Sequence, residues 1–251
     1  VRLDKALQTR GLVRSRTRAA ALIAEGLVQV DGVVATRPSQ QVGPDTVIEA
    51  TVEPWVSRAA HKLLGALDDS GTVVRGRVLD AGASTGGFTQ VALARGAQLV
   101  HAVDVGHDQL APELRDDPRV RVHEGLNLRD LTLEDLDGER MDLVVGDVSF
   151  ISLRLLLPSL LSVLRPDGEA LLLVKPQFEV GRGRLGAGGV VHDPELRRRA
   201  VDDVIAVAAS LGWDCVWQGT SRLPGAEGNV EFFIRLVRVP QPPDGGAPSR
   251  G

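Results

Sequence analysis

One segment limits the possible folds more than any other: RVLDAGASTGGF, running from Arg77 to Phe88. It reads as an apolar strand ending in Asp80, a glycine turn and the opening of a helix. Glycine lets a backbone turn sharply and approach a ligand closely. Further strands are predicted over 99–103, 120–123, 143–145 and 170–174, with helices between them. Such alternation builds a parallel sheet covered on both faces, with ligands at the carboxyl ends of its strands. The last two strands, over 215–218 and 230–239, are separated only by the turn-rich GTSRLPGAEGN. That is too short for a crossover helix and predicts antiparallel pairing. The expected class is α/β, a Rossmann-like and mostly parallel sheet.

A different pattern precedes it. Residues 1–24 carry Arg2, Lys5, Arg10, Arg14, Arg16 and Arg18 against Asp4 alone, a local charge of +5 in a chain of net charge -4. Arginine's planar fork suits phosphate, so a basic end on an acidic chain points to an anionic partner. Leu3, Ala6 and Leu7 recur at helical spacing up to Gly11. Ser15 reads as the N-cap of a second helix closed by Gly26, and Asp31-Gly32 reads as a hairpin turn. A small α+β domain is therefore expected over 1–52 and a linker over 53–58. The α/β domain then spans 59–240, before a disordered Pro/Gly-rich tail over 241–251. The 251 residues hold one cysteine, Cys215, which excludes an intramolecular disulfide and a cysteine-built zinc site. No apolar run approaches the roughly 18 residues of a membrane span. These features predict a cytoplasmic protein without a membrane span, and a monomer is expected.

Three chemistries compete for the glycine loop. A dinucleotide fingerprint wants glycine at position 84, where Ser84 stands. Gly82-Ala-Ser84-Thr-Gly86 matches the G-x-S-x-G of serine hydrolases, but it follows the first strand of its domain and no oxyanion segment precedes it. The third reading is S-adenosylmethionine, with Asp104, 24 residues after Asp80 at the end of the next strand, accepting both ribose hydroxyls. That reading is favoured. A second literal G-x-G-x-x-G, at Gly181, Gly183 and Gly186, leads into more glycine rather than a helix and reads as a mobile loop able to cover a substrate.

Asp147 and Lys175 each follow an apolar strand, Glu231 opens the last one, and Lys62 lies on a helix among Ala59, Leu63 and Leu64. If the last strand is antiparallel, all four converge on one sheet edge beside the loop. The five histidines show no metal-ligand spacing and read as structural or surface residues; no metal is expected.

With these residues in place, the chain closely resembles the TlyA family, ribosomal-RNA 2′-O-methyltransferases that join an alpha-L type RNA-binding module to an FtsJ-like methyltransferase domain. The resemblance runs from residue 1 to about 239 through WVSRAAHKL from Trp55, LDAGASTGGFT from Leu79, DVSFISL from Asp147, VKPQFEVG from Val174 and GNVEFF from Gly228. It implies a catalytic tetrad of Lys62, Asp147, Lys175 and Glu231, and RNA contacts by Arg10, Arg14 and Arg16, joined by Arg2 of the same basic cluster. It implies a cofactor site of Asp80, Gly82, Ser84, Thr85, Gly86, Gly87, Phe88, Asp104, Val105, Asn127 and Asp147. Methylation of cytidine ribose in ribosomal RNA follows, in the large subunit and by some members in both. A non-catalytic ribosome-assembly protein is the rival of a different class. A lysine, ordinarily of pKa about 10.4, serves as a base only where desolvation or a neighbouring cation favours its amine form, while carboxylates act in the opposite sense.

Overall fold

A computed structural model describes residues 1–13, 15–51 and 54–239, leaving aside the side chains of Arg182, Ala187 and Ala226. Arg14, part of the expected linker and the expected tail over 241–251 lie outside the described residues. The chain divides into two compact units, Val1–Pro54 and Trp55–Gly251.

In the first unit, helices α1 (Leu3–Thr9) and α2 (Arg16–Ala24) precede a three-stranded antiparallel sheet of β1 (Val28–Val30), β2 (Val33–Val34) and β3 (Ile48–Ala50), in the order β2-β1-β3. Ser15 Oγ accepts the N–H of Arg18, capping α2. Val30 pairs with Val33 across Asp31 and Gly32, both at positive φ, as a tight right-twisted hairpin requires. Leu3, Leu7, Leu22, Ile23 and Val28 form the core.

The second unit starts with Trp55 and Val56 packed on its own core, and Val56 donates its N–H to Gln90 Oε1, so residues 55–58 of the expected linker belong to this unit. Its elements are α3 (Ala59–Ser70), β4 (Arg77–Ala81), α4 (Gly87–Ala94), β5 (Leu99–Asp104), α5 (Pro112–Arg115), β6 (Val120–Glu124), β7 (Met141–Gly146), α6 (Leu157–Ser162), β8 (Leu164–Val174), α7 (Pro176–Glu179), α8 (Pro194–Ser210), β9 (Trp213–Thr220) and β10 (Phe232–Arg238). The seven-stranded sheet runs β6-β5-β4-β7-β8-β10-β9. Strands β4 to β8 are parallel, and β10 is antiparallel to both of its neighbours; its pairing with β9 is the one that the short connection predicted.

Strand side chains alternate between two faces. Leu79, Val144, Leu172 and Ile234 meet α6 and α8 on one side. Val78, Val145, Leu171 and Phe233 meet α3 and α4 on the other. At about 25 cal/mol per Å² of apolar surface removed from water, these two layers supply the dominant stabilisation and fix the strand ends in register. That register positions the polar groups.

Candidate active site

Four polar side chains meet where the strand register brings them. Asp147 is the first residue beyond β7 and donates its N–H to the carbonyl of Ala81. Lys175 is the first beyond β8, and Phe232 pairs with Val174, so the antiparallel β10 puts Glu231 beside Lys175. Lys62 reaches in from α3. Its Nζ lies 2.6 Å from Glu231 Oε2 and 4.0 Å from Asp147 Oδ2, while Lys175 Nζ lies 2.6 Å from Asp147 Oδ1. The result is a chain of alternating charge, Glu231–Lys62–Asp147–Lys175. All four side chains are 14% exposed or less. Such near-complete withdrawal from water is tolerated because each charge has an opposite partner.

Four neighbours complete this corner without having been singled out in the sequence. Lys175 Nζ donates to Ser149 Oγ at 2.7 Å, and Gln177 Nε2 donates to Glu231 Oε1 at 3.2 Å. Phe150 is 91% exposed at φ 67°, a conformation rare for a bulky residue, and its ring lies 5.5 Å from that of Phe178. The Phe178 ring lies 5.9 Å from Lys175 Nζ. The only available signal was position: Ser149 and Phe150 stand two and three residues after Asp147, and Gln177 and Phe178 two and three after Lys175.

Beside the corner lie two clefts. The larger, about 440 Å³, is lined by Gly82, Ser84, Asp104, Val105, Asn127 and Asp147, together with Phe150 and others. The smaller, about 170 Å³, takes in Ser84, Thr85, Gly87, Phe88, Asp147 and Lys175. Ser149 lines both. Asp104 accepts the N–H of Ser84 on one carboxylate oxygen and the N–H of Gly106 on the other, each at 2.8 Å. A carboxylate has about four lone-pair sites, so acceptor capacity remains for two ligand hydroxyls. Gly82 has φ 83°, and a Cβ there would stand 3.1 Å from the carbonyl oxygen of Asp147. The loop thus closes on β7 as a smooth cradle, and these acceptors, backbone groups and apolar walls fit an adenosine with an amino-acid arm.

Two expected ligand contacts are placed elsewhere. Asp80 shares the Val78 face, wholly buried under α4, and lines neither cleft. Thr89 Oγ1 donates to its Oδ2 at 2.6 Å, while Oδ1 has no partner. Burial pushes its pKa up to about 7, against the opposing pull of the Thr89 hydrogen bond. Asp80 therefore anchors the loop from below. Gly86, at φ 97°, packs toward Leu110 and Leu114 rather than into a cleft. Ser84 gives its hydroxyl proton to Gln109 Oε1 and not to a histidine, so the nucleophile–base pair of a serine hydrolase is not formed. Among the described residues no cluster with metal-ligand character occurs, and no helix is long and apolar enough to cross a membrane. His101 is fully buried against His123, and burial pushes its pKa down to about 4.

In the first unit Arg2, Arg10 and Arg16 are held by the protein itself. Arg2 and Arg16 both reach Asp4, holding its carboxyl well below the usual carboxylate range. Arg10 donates to the carbonyls of Gly43, Pro44 and Thr46. These guanidiniums are fixed in direction yet still open to solvent, with side-chain exposures of 47% for Arg2 and 54% for Arg16.

The model of FtsJ-like methyltransferases matches residues 55–238, and that of the S4 domain matches residues 1–48. The 16S/23S rRNA (cytidine-2′-O)-methyltransferase TlyA of Mycobacterium tuberculosis is 53% identical, over 94% of this chain and 89% of its own. Hemolysin A of Brachyspira hyodysenteriae is 36% identical, over 94% of this chain and its full length. A solved structure of a hemolysin-named protein from Streptococcus thermophilus superimposes with a TM-score of 0.75 at 36% identity, covering 96% of this chain and 90% of its own.

Proposed function

This chain belongs to the FtsJ-like methyltransferase family, with an S4 domain ahead of the catalytic unit, and from that premise we propose that it transfers a methyl group from S-adenosylmethionine to the ribose 2′-hydroxyl of cytidine in ribosomal RNA. The observation that carries the reading is the Glu231–Lys62–Asp147–Lys175 chain, which borders the glycine cradle at the smaller cleft.

Asp104, Val105, Asn127 and the Gly82 turn would hold the adenosine in the larger cleft, with Thr85, Gly87 and Phe88 bordering the smaller one. When bound, the cofactor supplies a methyl group already activated on a sulfonium, so much of the protein's task is alignment. Lys175 Nζ donates to Ser149 Oγ and pairs electrostatically with Asp147 Oδ1 at 2.6 Å. The ribose hydroxyl would approach the remaining side of the amine. In its amine form Lys175 receives the proton that this hydroxyl gives up, and Asp147 then faces the ammonium produced. Lys62, held by Glu231, fixes the other side of Asp147 and so the place of Lys175. Phe150 offers an exposed ring face on which an unstacked base can rest.

The S4 unit would grip the RNA through Arg2, Arg10 and Arg16, with Arg14 from the same cluster. Phosphate contacts of this kind weaken steeply with salt. The similarity to an enzyme named for both 16S and 23S RNA supports transfer to both subunits; on this reading the protein would act in the cytoplasm, as a monomer on ribosomal particles. The test is transfer of labelled methyl to separated small and large subunits lacking the modification. Label in ribose is expected, and Lys175→Ala should reduce the rate on the order of 10³-fold, within the usual range for proton-transfer groups. Cofactor binding without transfer to either subunit would instead favour a non-catalytic assembly protein.

A further inference from the structure

The second glycine-rich segment, Gly181 to Gly189, does not form a dinucleotide cradle. It makes two short 3-10 turns, Arg182–Arg184 and Ala187–Gly189, and the next α-helix begins only at Pro194. It does, however, line a cavity of about 380 Å³ together with Arg154, Glu179, Arg184, Arg199 and Asp203. The carboxylate of Glu179 is 2% exposed and is engaged inward, accepting from Ser152 Oγ, the N–H of Leu153 and Arg154 Nε. That leaves the outer wall to guanidiniums. The Arg154 side chain is 37% exposed and that of Arg199 64% exposed. Arg199 is steadied through Nε by Glu195, which Arg198 also engages. Arg184 has no side-chain hydrogen bond or ion pair among the described residues. Against three guanidiniums stand the inward-turned Glu179 and one further carboxylate, Asp203. The balance suits a single negative charge, and the fork geometry of arginine suits a phosphodiester.

Gly183 adds an independent observation. Its φ lies outside the left-handed region, and a Cβ there would meet no atom within 4 Å. Neither backbone conformation nor packing within the protein calls for glycine at this place. A bare backbone that nothing in the fold requires is suited to close approach by something outside it. The cavity is also near the chemistry. Helix α7 follows Lys175 directly and ends at Glu179 in the cavity wall, a rise of about 6 Å at 1.5 Å per residue.

We propose that Arg154, Arg184 and Arg199, with the backbone of the Gly181–Gly186 loop, form a phosphate-binding subsite that holds the substrate RNA strand next to the nucleotide being methylated. The inference rests on the reading of the chain as an RNA methyltransferase, and it gives the catalytic unit its own grip on RNA, separate from the arginines of the S4 unit. Arg154 also secures Glu179, so the informative substitutions are at the other two positions.

The experiment measures binding of a labelled single-stranded RNA dodecamer to the full chain between 50 and 200 mM salt, for the unaltered protein, Arg184→Ala/Arg199→Ala and Arg184→Lys/Arg199→Lys. Each phosphate neutralised on a single strand contributes about -0.7 to the slope of log affinity against log salt. The alanine pair should weaken binding about 5- to 10-fold and make the slope shallower by about 1.4, if each arginine holds one phosphate. It should leave the melting temperature and S-adenosylmethionine affinity unchanged, and the lysine pair should retain most of the slope. Unchanged affinity and slope in the alanine pair would overturn the subsite. Binding is read without turnover, so a chain that binds RNA through these arginines yet transfers no methyl would overturn the methyltransferase reading and leave the subsite standing.

Discussion

The molecule carries two glycine-rich loops at the same end of one sheet, and they are built on opposite principles. In the first, over 82–87, the fold itself demands glycine. A Cβ at Gly82 would press on the backbone of Asp147 and Val148, and one at Gly86, where φ is 97°, would collide with Leu114 and Leu110. In the second, over 181–189, the glycines at 181, 183, 188 and 189 face open space, while Gly186 is packed against His192 and the carbonyl of Val190. The first loop is a part of the scaffold that also touches a ligand, resting on the buried Asp80–Thr89 pair. The second has little beneath it and is tied down at its far end, where Asn229 accepts the N–H of Val191 and donates to the carbonyl of Gly189. A rigid loop suits a small cofactor that must be placed to a fraction of an ångström. An open one suits a polymer whose backbone has only to pass.

The sharpest way to break this contrast is through the foundation of the first loop. The folded-state pKa of Asp80 is pushed up to about 7 by burial, against 3.8 in the unfolded chain. Between those values the folded state holds a proton that the unfolded state has lost. Stability from this group is therefore full below about pH 4, falls as pH rises, and levels off above about pH 7, a total of about 4 kcal/mol at 1.36 kcal/mol per unit. Asp80→Asn removes that dependence. Relative to the variant, the unaltered protein should lose about 3 kcal/mol between pH 5 and pH 8 in urea unfolding. Parallel pH profiles for the two proteins would mean that Asp80 does not carry the proton and that the loop rests on something else.

Gly82→Ala comes next. A methyl at φ 83° and 3.1 Å from a backbone oxygen combines an unfavourable conformation with overpacking, for about 2–3 kcal/mol of lost stability and a large loss of cofactor affinity. Isothermal titration with S-adenosylmethionine and thermal unfolding read the two effects separately. Unchanged values for both would show that the first loop yields as readily as the second. Ser149→Ala is smaller still. It removes the acceptor of the Lys175 hydrogen bond and leaves only the Asp147 ion pair to direct the amine, so turnover should fall about tenfold, near 1.4 kcal/mol, with cofactor affinity kept. An unchanged turnover number would show that Asp147 alone aims the amine.

The contrast also explains how much could be read from the chain alone. Asp147, Lys175 and Glu231 were legible because each stands one residue outside an apolar strand, and the short connection before the last strand predicts that it runs antiparallel. Lys62 was legible as a cation on an apolar helix face. Ser149 and Gln177 were not, because their partners stand 26 and 54 residues away and a hydroxyl or amide in a loop has no periodic signature. Asp80 was legible as important but its role was not: it ends a strand as Asp104 does, yet strand alternation turns it under α4, while Asp104 comes at the rim of the cleft. Arg2, Arg10 and Arg16 were visible as charge, but not as side chains held by Asp4 and by backbone carbonyls.

The smallest expected effect is the one that separates the loops most cleanly. Gly183→Ala adds a methyl where no atom lies within 4 Å and where φ suits an L-residue, so folding stability should change by less than about 0.5 kcal/mol, as for ordinary surface positions. It should even rise by a few tenths, since alanine narrows the conformations open to the unfolded chain. If the second loop exists to let RNA pass, the same methyl should weaken RNA binding two- to threefold while cofactor affinity stays constant. Gly82→Ala should show the opposite pattern, with cofactor affinity and stability both falling. A Gly183→Ala protein that loses stability would show that the second loop is packed as tightly as the first, and the distinction between a scaffold loop and a passage loop would fail.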